Sequence, residues 1–195
     1  QVLLHGQASG LKGDKVDQLE ILLNGMMNDN TTPIGDTSNP SKQQIDGLIG
    51  LYTQGELHKA ITQGTTLASQ FPNDPLIPNI LGAIYSGLSR HEQAIVNYNK
   101  AIALKPDYVV VHYNLGTALN RLGRHEEAIT SYNKAIELKS DYVEAYSNLG
   151  IALSELGKHQ KAIASYNKAI ELKPDYAEAH YHLGNALSEL GKHQK

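Results

Sequence analysis

The 195-residue chain has no cysteine. That removes disulfides, thiolate metal sites and a cysteine nucleophile, and it leaves the compartment open. No stretch approaches the roughly 18 consecutive apolar residues of a membrane-spanning helix. Gln1 to Gly10 has neither the basic start nor the apolar run of a secretory signal. An excess of positive charge is also lacking. The formal net charge is -3 and the isoelectric point is near 6.3, so nothing draws the chain to phosphate backbones, and neither nucleic acid nor a membrane is an expected partner. Catalytic signatures are missing too: there is no glycine-rich phosphate loop, no HExxH and no GxSxG elbow, and the recurring carboxylates fall on exposed helix faces. The expectation is a non-enzyme without a cofactor or metal.

What the chain does contain is a repeat. Gly82, Gly116, Gly150 and Gly184 stand 34 residues apart, as do Ala94, Ala128 and Ala162, and Tyr98, Tyr132 and Tyr166. Within Val143 to Leu156, the apolar residues Tyr146, Leu149, Ile151, Ala152, Leu153 and Leu156 recur at helical intervals. After a break, Ala162, Ile163, Tyr166, Ala169, Ile170 and Leu172 do so again. Two helices per unit follow. Gly157 supplies a left-handed stop for the first, and Lys173-Pro174-Asp175 ends the second. Short turns make such helices antiparallel neighbours. Gly150 and Ala162 are small where the pair would cross, while Leu149 and Tyr166 fill the space beside them. One pair cannot bury its own apolar face, so the units are expected to stack into a continuous core. A chain that is 41% hydrophobic and 19% charged can supply it.

The 34-residue period with these residues resembles the tetratricopeptide repeat (TPR) family. The resemblance implies an all-α, right-handed superhelical TPR solenoid of antiparallel helix pairs. Residues 1–40 do not fit the repeat: Val16, Leu19, Leu22, Leu23 and Met26 are spaced for a short helix over about 15–27, followed by a polar linker. That leader is either loose, a cap on the first repeat, or a built-in groove ligand. Residues 41–74 read as a degenerate first unit with Leu48 and Gly64 in place of the usual Gly and aromatic. Residues 75–108, 109–142 and 143–176 are fuller units, with Pro78 expected to delay the first helix of the earliest of them. Residues 177–195 supply one more first helix and its turn. The chain is therefore expected to be part of a longer protein, and the apolar face carrying Leu183, Leu187 and Leu190 is expected to be covered there or by a second copy.

In this family the first helix of each unit lines the inner face. The resemblance therefore implies a peptide-binding groove formed by Asn79 and Ala83, by Tyr113, Asn114, Thr117, Asn120 and Arg121, by Ser147, Asn148, Ile151 and Glu155, and by Tyr181, His182, Asn185 and Glu189. Asn114 and Asn148, in HYNLG and YSNLG, look like the asparagine ladder in the TPR region of O-linked N-acetylglucosamine transferases, with Ile80 and His182 at the flanking rungs. An amide offers both a donor and an acceptor to an extended backbone. The same asparagines equally suit satisfying backbone groups between neighbouring helices. The basic clamp by which some TPR modules hold a C-terminal carboxylate is absent. Glu144, Glu155, Glu178 and Glu189 instead favour a polar or basic peptide or protein ligand.

His91, His125, His159 and His193 form a column. One repeat of separation is about 8 to 10 Å, too far for shared ligation near 2 Å, so they read as packing residues. Lys134 to Glu137 and Lys168 to Glu171 are spaced as surface pairs. Three functions fit these features: an interaction scaffold holding a peptide or partner in the groove, a substrate-recruiting arm of a larger glycosyltransferase or sulfotransferase, or a self-association module forming homo-oligomers through the open last repeat.

Overall fold

The computed structural model describes residues 39–192. The expected leader helix and His193 lie outside them. The described residues form helices joined by short turns, with no strand among them. They divide into two compact units at Val110.

Unit 1 holds α1 (Lys42–Thr53), α2 (Leu57–Gln70), α3 (Leu76–Gly87) and α4 (His91–Leu104). Helix α1 begins with a capping box that sequence reasoning missed. The Ser41 hydroxyl accepts the Gln44 N–H at 3.3 Å, and the Gln44 side chain accepts the Ser41 N–H at 2.8 Å. Pro78 lies inside α3, which starts at Leu76. Its missing N–H costs little there, because first-turn amides have no intrahelical acceptor. Asp74 completes that start, its Oδ1 accepting the N–H groups of Leu76 and Ile77. The core of unit 1 gathers Ile45, Leu48, Tyr52, Leu67, Ile77, Ile80 and Ile84.

Unit 2 holds α5 (Val109–Arg121, its first two residues belonging to unit 1), α6 (His125–Leu138), α7 (Val143–Glu155), α8 (His159–Leu172) and α9 (Ala177–Lys192). Helix α7 packs on α6 and α8, and α9 packs on α8 and α7. Tyr132 and Tyr166 are buried in its core with Ala128, Ala152 and Ala162.

Within each unit, the first helix of every hairpin ends the same way. Residues 55, 89, 123 and 157 have positive φ. The N–H of the following residue returns to a carbonyl five residues back (Glu56 to Leu51, Arg90 to Tyr85, Arg124 to Leu119, Lys158 to Leu153), at 2.9 to 3.0 Å. This double-bonded left-handed stop reverses the chain. Three of the four positions are glycine. The fourth, Ser89 at φ 58, bears a steric cost glycine avoids. The turn expected after Leu190 is not formed: α9 continues through Gly191 to Lys192. No described second helix packs there to favour a stop over further backbone bonding.

The tyrosines explain the other recurring glycine. A Cβ built on Gly116 would lie 2.7 Å from the Tyr132 ring, and one on Gly82 or Gly150 would press still closer on Tyr98 or Tyr166. Only a glycine admits the ring against the backbone of the facing helix.

Candidate functional site

The faces of the first helices are where the sequence places a groove. In unit 1, α3 contributes Asn79 and Ala83. Both are buried, and Asn79 is fully so. Neither end of its amide has a hydrogen-bond partner among the described residues. In this conformation Asn79 offers nothing to a ligand.

In unit 2, three of the expected residues, Tyr113, Thr117 and Asn148, meet in one network with Tyr132 and Tyr142. Asn148 of α7 donates through Nδ2 to the Tyr113 hydroxyl of α5 at 3.0 Å. The Tyr113 ring lies against Tyr142 (centroids 5.0 Å) and Tyr132 (6.0 Å). Tyr132 in turn donates to Thr117 Oγ1 at 3.3 Å, and Thr117 bonds the Tyr113 carbonyl. Burial, reinforced by Tyr142, Tyr132, Tyr176 and Glu144, holds the Tyr113 phenol well above its ordinary ionisation range. It therefore stays neutral, accepting from Asn148 while keeping its own proton to donate.

The remaining residues sort by exposure. Asn114 and Ser147 are buried, Ser147 without a partner for its hydroxyl among the described residues. Asn120 is half-buried and its Oδ1 meets His125 Nδ1 at 2.7 Å. Arg121, Glu155 and Asn185 are exposed, and Ile151 and Glu189 half-buried. Tyr181 is 68% exposed. His182 stacks on Tyr166 with centroids 5.8 Å apart, and its Nε2 lies 3.9 Å from Glu178. The ladder positions thus differ in role: Asn114 is enclosed, whereas Asn148 is half-open and bonded to a phenol rather than to backbone.

Tyr142 lies outside the groove residues expected from the sequence. Its signal was the recurrence of Tyr108, Tyr142 and Tyr176, each with a lysine three residues earlier whose ammonium lies 5.1 to 5.4 Å from the ring centroid. Among the described residues, no cluster of histidines and carboxylates is arranged to hold a metal, and no helix is long and apolar enough to cross a membrane.

Family comparison decides what this arrangement belongs to. Profiles described as "Tetratricopeptide repeat" match residues 107–175 and 165–195, and one described as "TPR repeat" matches residues 82–123. Together they span more than half of the chain. The chain belongs to the tetratricopeptide-repeat family. Peroxisomal targeting signal receptors are similar to this TPR chain over short stretches. The Kluyveromyces lactis receptor is 44% identical over 64 residues, 33% of this chain and 11% of the receptor. The Saccharomyces cerevisiae receptor is 38% identical over 79 residues, 40% of this chain and 13% of the receptor. The TPR chain therefore corresponds to a small part of those proteins.

Among solved structures, a MamA protein superposes with a TM-score of 0.73 at 28% identity, covering 81% of this chain and 85% of that one. The first TPR of Spaghetti (RPAP3), bound to the HSP90 peptide SRMEEVD, gives 0.60 at 29% identity over 60% of this chain and 94% of that one. YrrB, a TPR protein with an unusual peptide-binding site, gives 0.67 at 20% identity over 87% and 84%, which shows the fold alone.

Proposed function

We propose that this TPR chain is an interaction module, not a catalyst, and that it holds an extended peptide or a partner segment along the first-helix face of unit 2. The observation that carries the reading is the Asn148 to Tyr113 pair. It is a polar, neutral donor and acceptor couple on a half-open face, flanked by Thr117, Ile151, Arg121 and Glu155. An amide and a phenol held in register suit the backbone of an extended chain, and side-chain preference would come from the flanking residues. The RPAP3 domain, similar to this chain, is bound to a peptide, which supports the class of function. The ligand differs in charge: with Glu144, Glu155 and Glu178 on these helices and no basic clamp, a polar or basic segment fits better than an acidic one. The asparagine-ladder reading narrows here to Asn148, because Asn114 is enclosed.

The test is a peptide array spanning acidic, neutral and basic sequences, followed by titration of the best binder. Replacing Asn148 by Ala is expected to weaken it on the order of tenfold, as loss of a hydrogen bond would, while helicity and melting stay close to the parent. Unchanged affinity would refute the ladder. Collapse of the fold would reassign this residue to structure.

Self-association is a second reading, and α9 supplies its observation. Leu187 is 50% exposed, and nothing lies within 4 Å of a Cβ on Gly184, where the equivalent glycines each meet a tyrosine ring. Sedimentation across a dilution series tests it, and a monomer at every concentration would remove it.

A further inference from the structure

Unit 1 carries a cavity of about 620 Å3 between α2, α3 and α4. That volume falls in the range of ligand sites, about 300 to 1,000 Å3. Its apolar lining includes Phe71, Leu81, Tyr85 and Leu104, the last 40% exposed, and Lys100 stands in its wall. Equivalent lysines on α6 and α8 are engaged: Lys134 pairs with Glu137 at 2.9 Å and Lys168 with Glu171 at 2.8 Å, each three residues on. At the same spacing α4 has Ala103, and among the described residues Lys100 has no ion-pair partner. Asp74, also in the lining, is committed to the start of α3 through the N–H groups of Leu76 and Ile77. The trough therefore joins an apolar bed to the Lys100 ammonium, which has no ion-pair partner among the described residues, while the Asp74 carboxylate keeps its charge at the start of α3. The repeat explains why it occurs here: one Glu-to-Ala difference withdraws the internal counterion.

We propose that this trough is a second docking site, taking a peptide segment of a partner protein in which a bulky apolar side chain is followed by a carboxylate. The apolar side chain lies on Phe71, Leu81 and Leu104, and the carboxylate meets Lys100. The choice of a peptide over another apolar anion rests on the protein-binding reading above. Charge separates the two sites, because the first-helix face of unit 2 favours polar or basic segments and this one an acidic segment.

The probe is the peptide acetyl-Gly-Phe-Leu-Asp-Gly-amide, titrated into the full chain and followed by amide chemical shifts, with its Asp-to-Asn counterpart and decanoate as separate arms. The Asp peptide is expected to shift resonances of Phe71, Lys100 and Leu104, and the Asn peptide to bind on the order of threefold more weakly, as expected for an exposed ion pair. Ala103→Glu gives Lys100 the internal carboxylate found on α6 and α8. It is expected to cost the Asp peptide a similar factor without changing helicity, since the site is exposed and Glu favours helix. Leu104→Glu should abolish binding of both peptides. The proposal is overturned if the shifts fall elsewhere, if Asp and Asn peptides bind alike and Ala103→Glu has no effect, or if decanoate binds while the peptides do not. Shifts confined to Tyr113 and Asn148 would sink this site and leave the first-helix reading standing.

Discussion

In unit 2 the bulky side chain at each helix crossing comes from the second helix: Tyr132 of α6 sits on Gly116 of α5, and Tyr166 of α8 on Gly150 of α7. In the first hairpin of unit 1 the bulk is on the first helix. Leu48 of α1 is fully buried, Gly64 of α2 is the bare position, and Leu81 of α3 reaches to 2.7 Å from where its Cβ would be, with Leu48 at 3.6 Å. The volume at the crossing is kept while its donor changes, which close-packed cores tolerate. The replacement is softer, however, because a leucine terminus can swing aside and a ring pinned against backbone cannot. Junction chemistry differs as well. Where unit 2 has Tyr142 and Tyr176, unit 1 has Tyr108 and, one repeat earlier, Asp74, a carboxylate used as a helix cap.

The largest expected effect is alkaline. Burial pushes the Tyr52 phenol up to about 12 and raises Tyr98 further. In unit 2 it raises Tyr113, Tyr132 and Tyr142. Each folded-state value lies above the unfolded value of about 10, so the stability from these neutral phenols is fully present below pH 10 and is lost as pH rises through about 12 and beyond. Absorbance at 295 nm and circular dichroism, read together, should show phenolate appearing with loss of helix. Phenolate appearing with helix intact would mean the rings are not enclosed.

Glycine substitutions sharpen the comparison next. Gly150→Ala should lower stability by about 2 kcal/mol through overpacking on Tyr166. Gly64→Ala should cost less, because Leu81 can yield. Gly184→Ala, which meets nothing within 4 Å, should raise the helicity of α9, by up to about 1 kcal/mol of propensity. Urea unfolding midpoints rank the three, and equal losses at Gly64 and Gly150 would erase the distinction between the crossings.

A smaller effect attaches to the left-handed stops. Ser89→Gly should stabilise by about 1 kcal/mol and Gly123→Ser destabilise by a similar amount, because only a side chain makes φ near +60° costly. Thermal melts of the two variants should move in opposite directions.

Smallest is Asp74. Burial raises its carboxyl above the ordinary 3.8, outweighing the two backbone N–H groups that lower it. The favourable contribution therefore belongs to the protonated acid. It is complete below the unfolded value and lost as pH rises through the raised folded one. Asp74→Asn keeps the cap and removes the charge, so it should raise the melting temperature at neutral pH by a degree or so and flatten its dependence on pH in the acid range. A neutral-pH melt lower than the parent's would show that the carboxylate's charge is needed at the helix start.

The helices themselves were readable because glycine, alanine and tyrosine recur at one interval, and the residues that stop a helix act on their own backbone. Ser89 escaped notice since a serine rarely adopts a positive φ, although it stands midway between Gly55 and Gly123. The groove was only partly readable. Asn79, Tyr113, Ser147 and Tyr181 occupy one repeat position, yet Asn79 and Ser147 are sealed, Tyr113 is nearly so, and Tyr181 is open. That depends on which helices lie alongside, and a pattern along one helix does not contain it.

The amino-acid order alone determined the hairpin period and the glycine stops within it, because these depend on local backbone conformation and on residues at fixed short separations. Tertiary packing decided that Asn148 would meet a phenol 35 residues earlier, which polar residues would be enclosed, and that Lys100 would stand in the wall of an apolar trough. Each of these is settled by the approach of separate helices, where burial and hydrogen bonding are shared among elements that no local rule brings together.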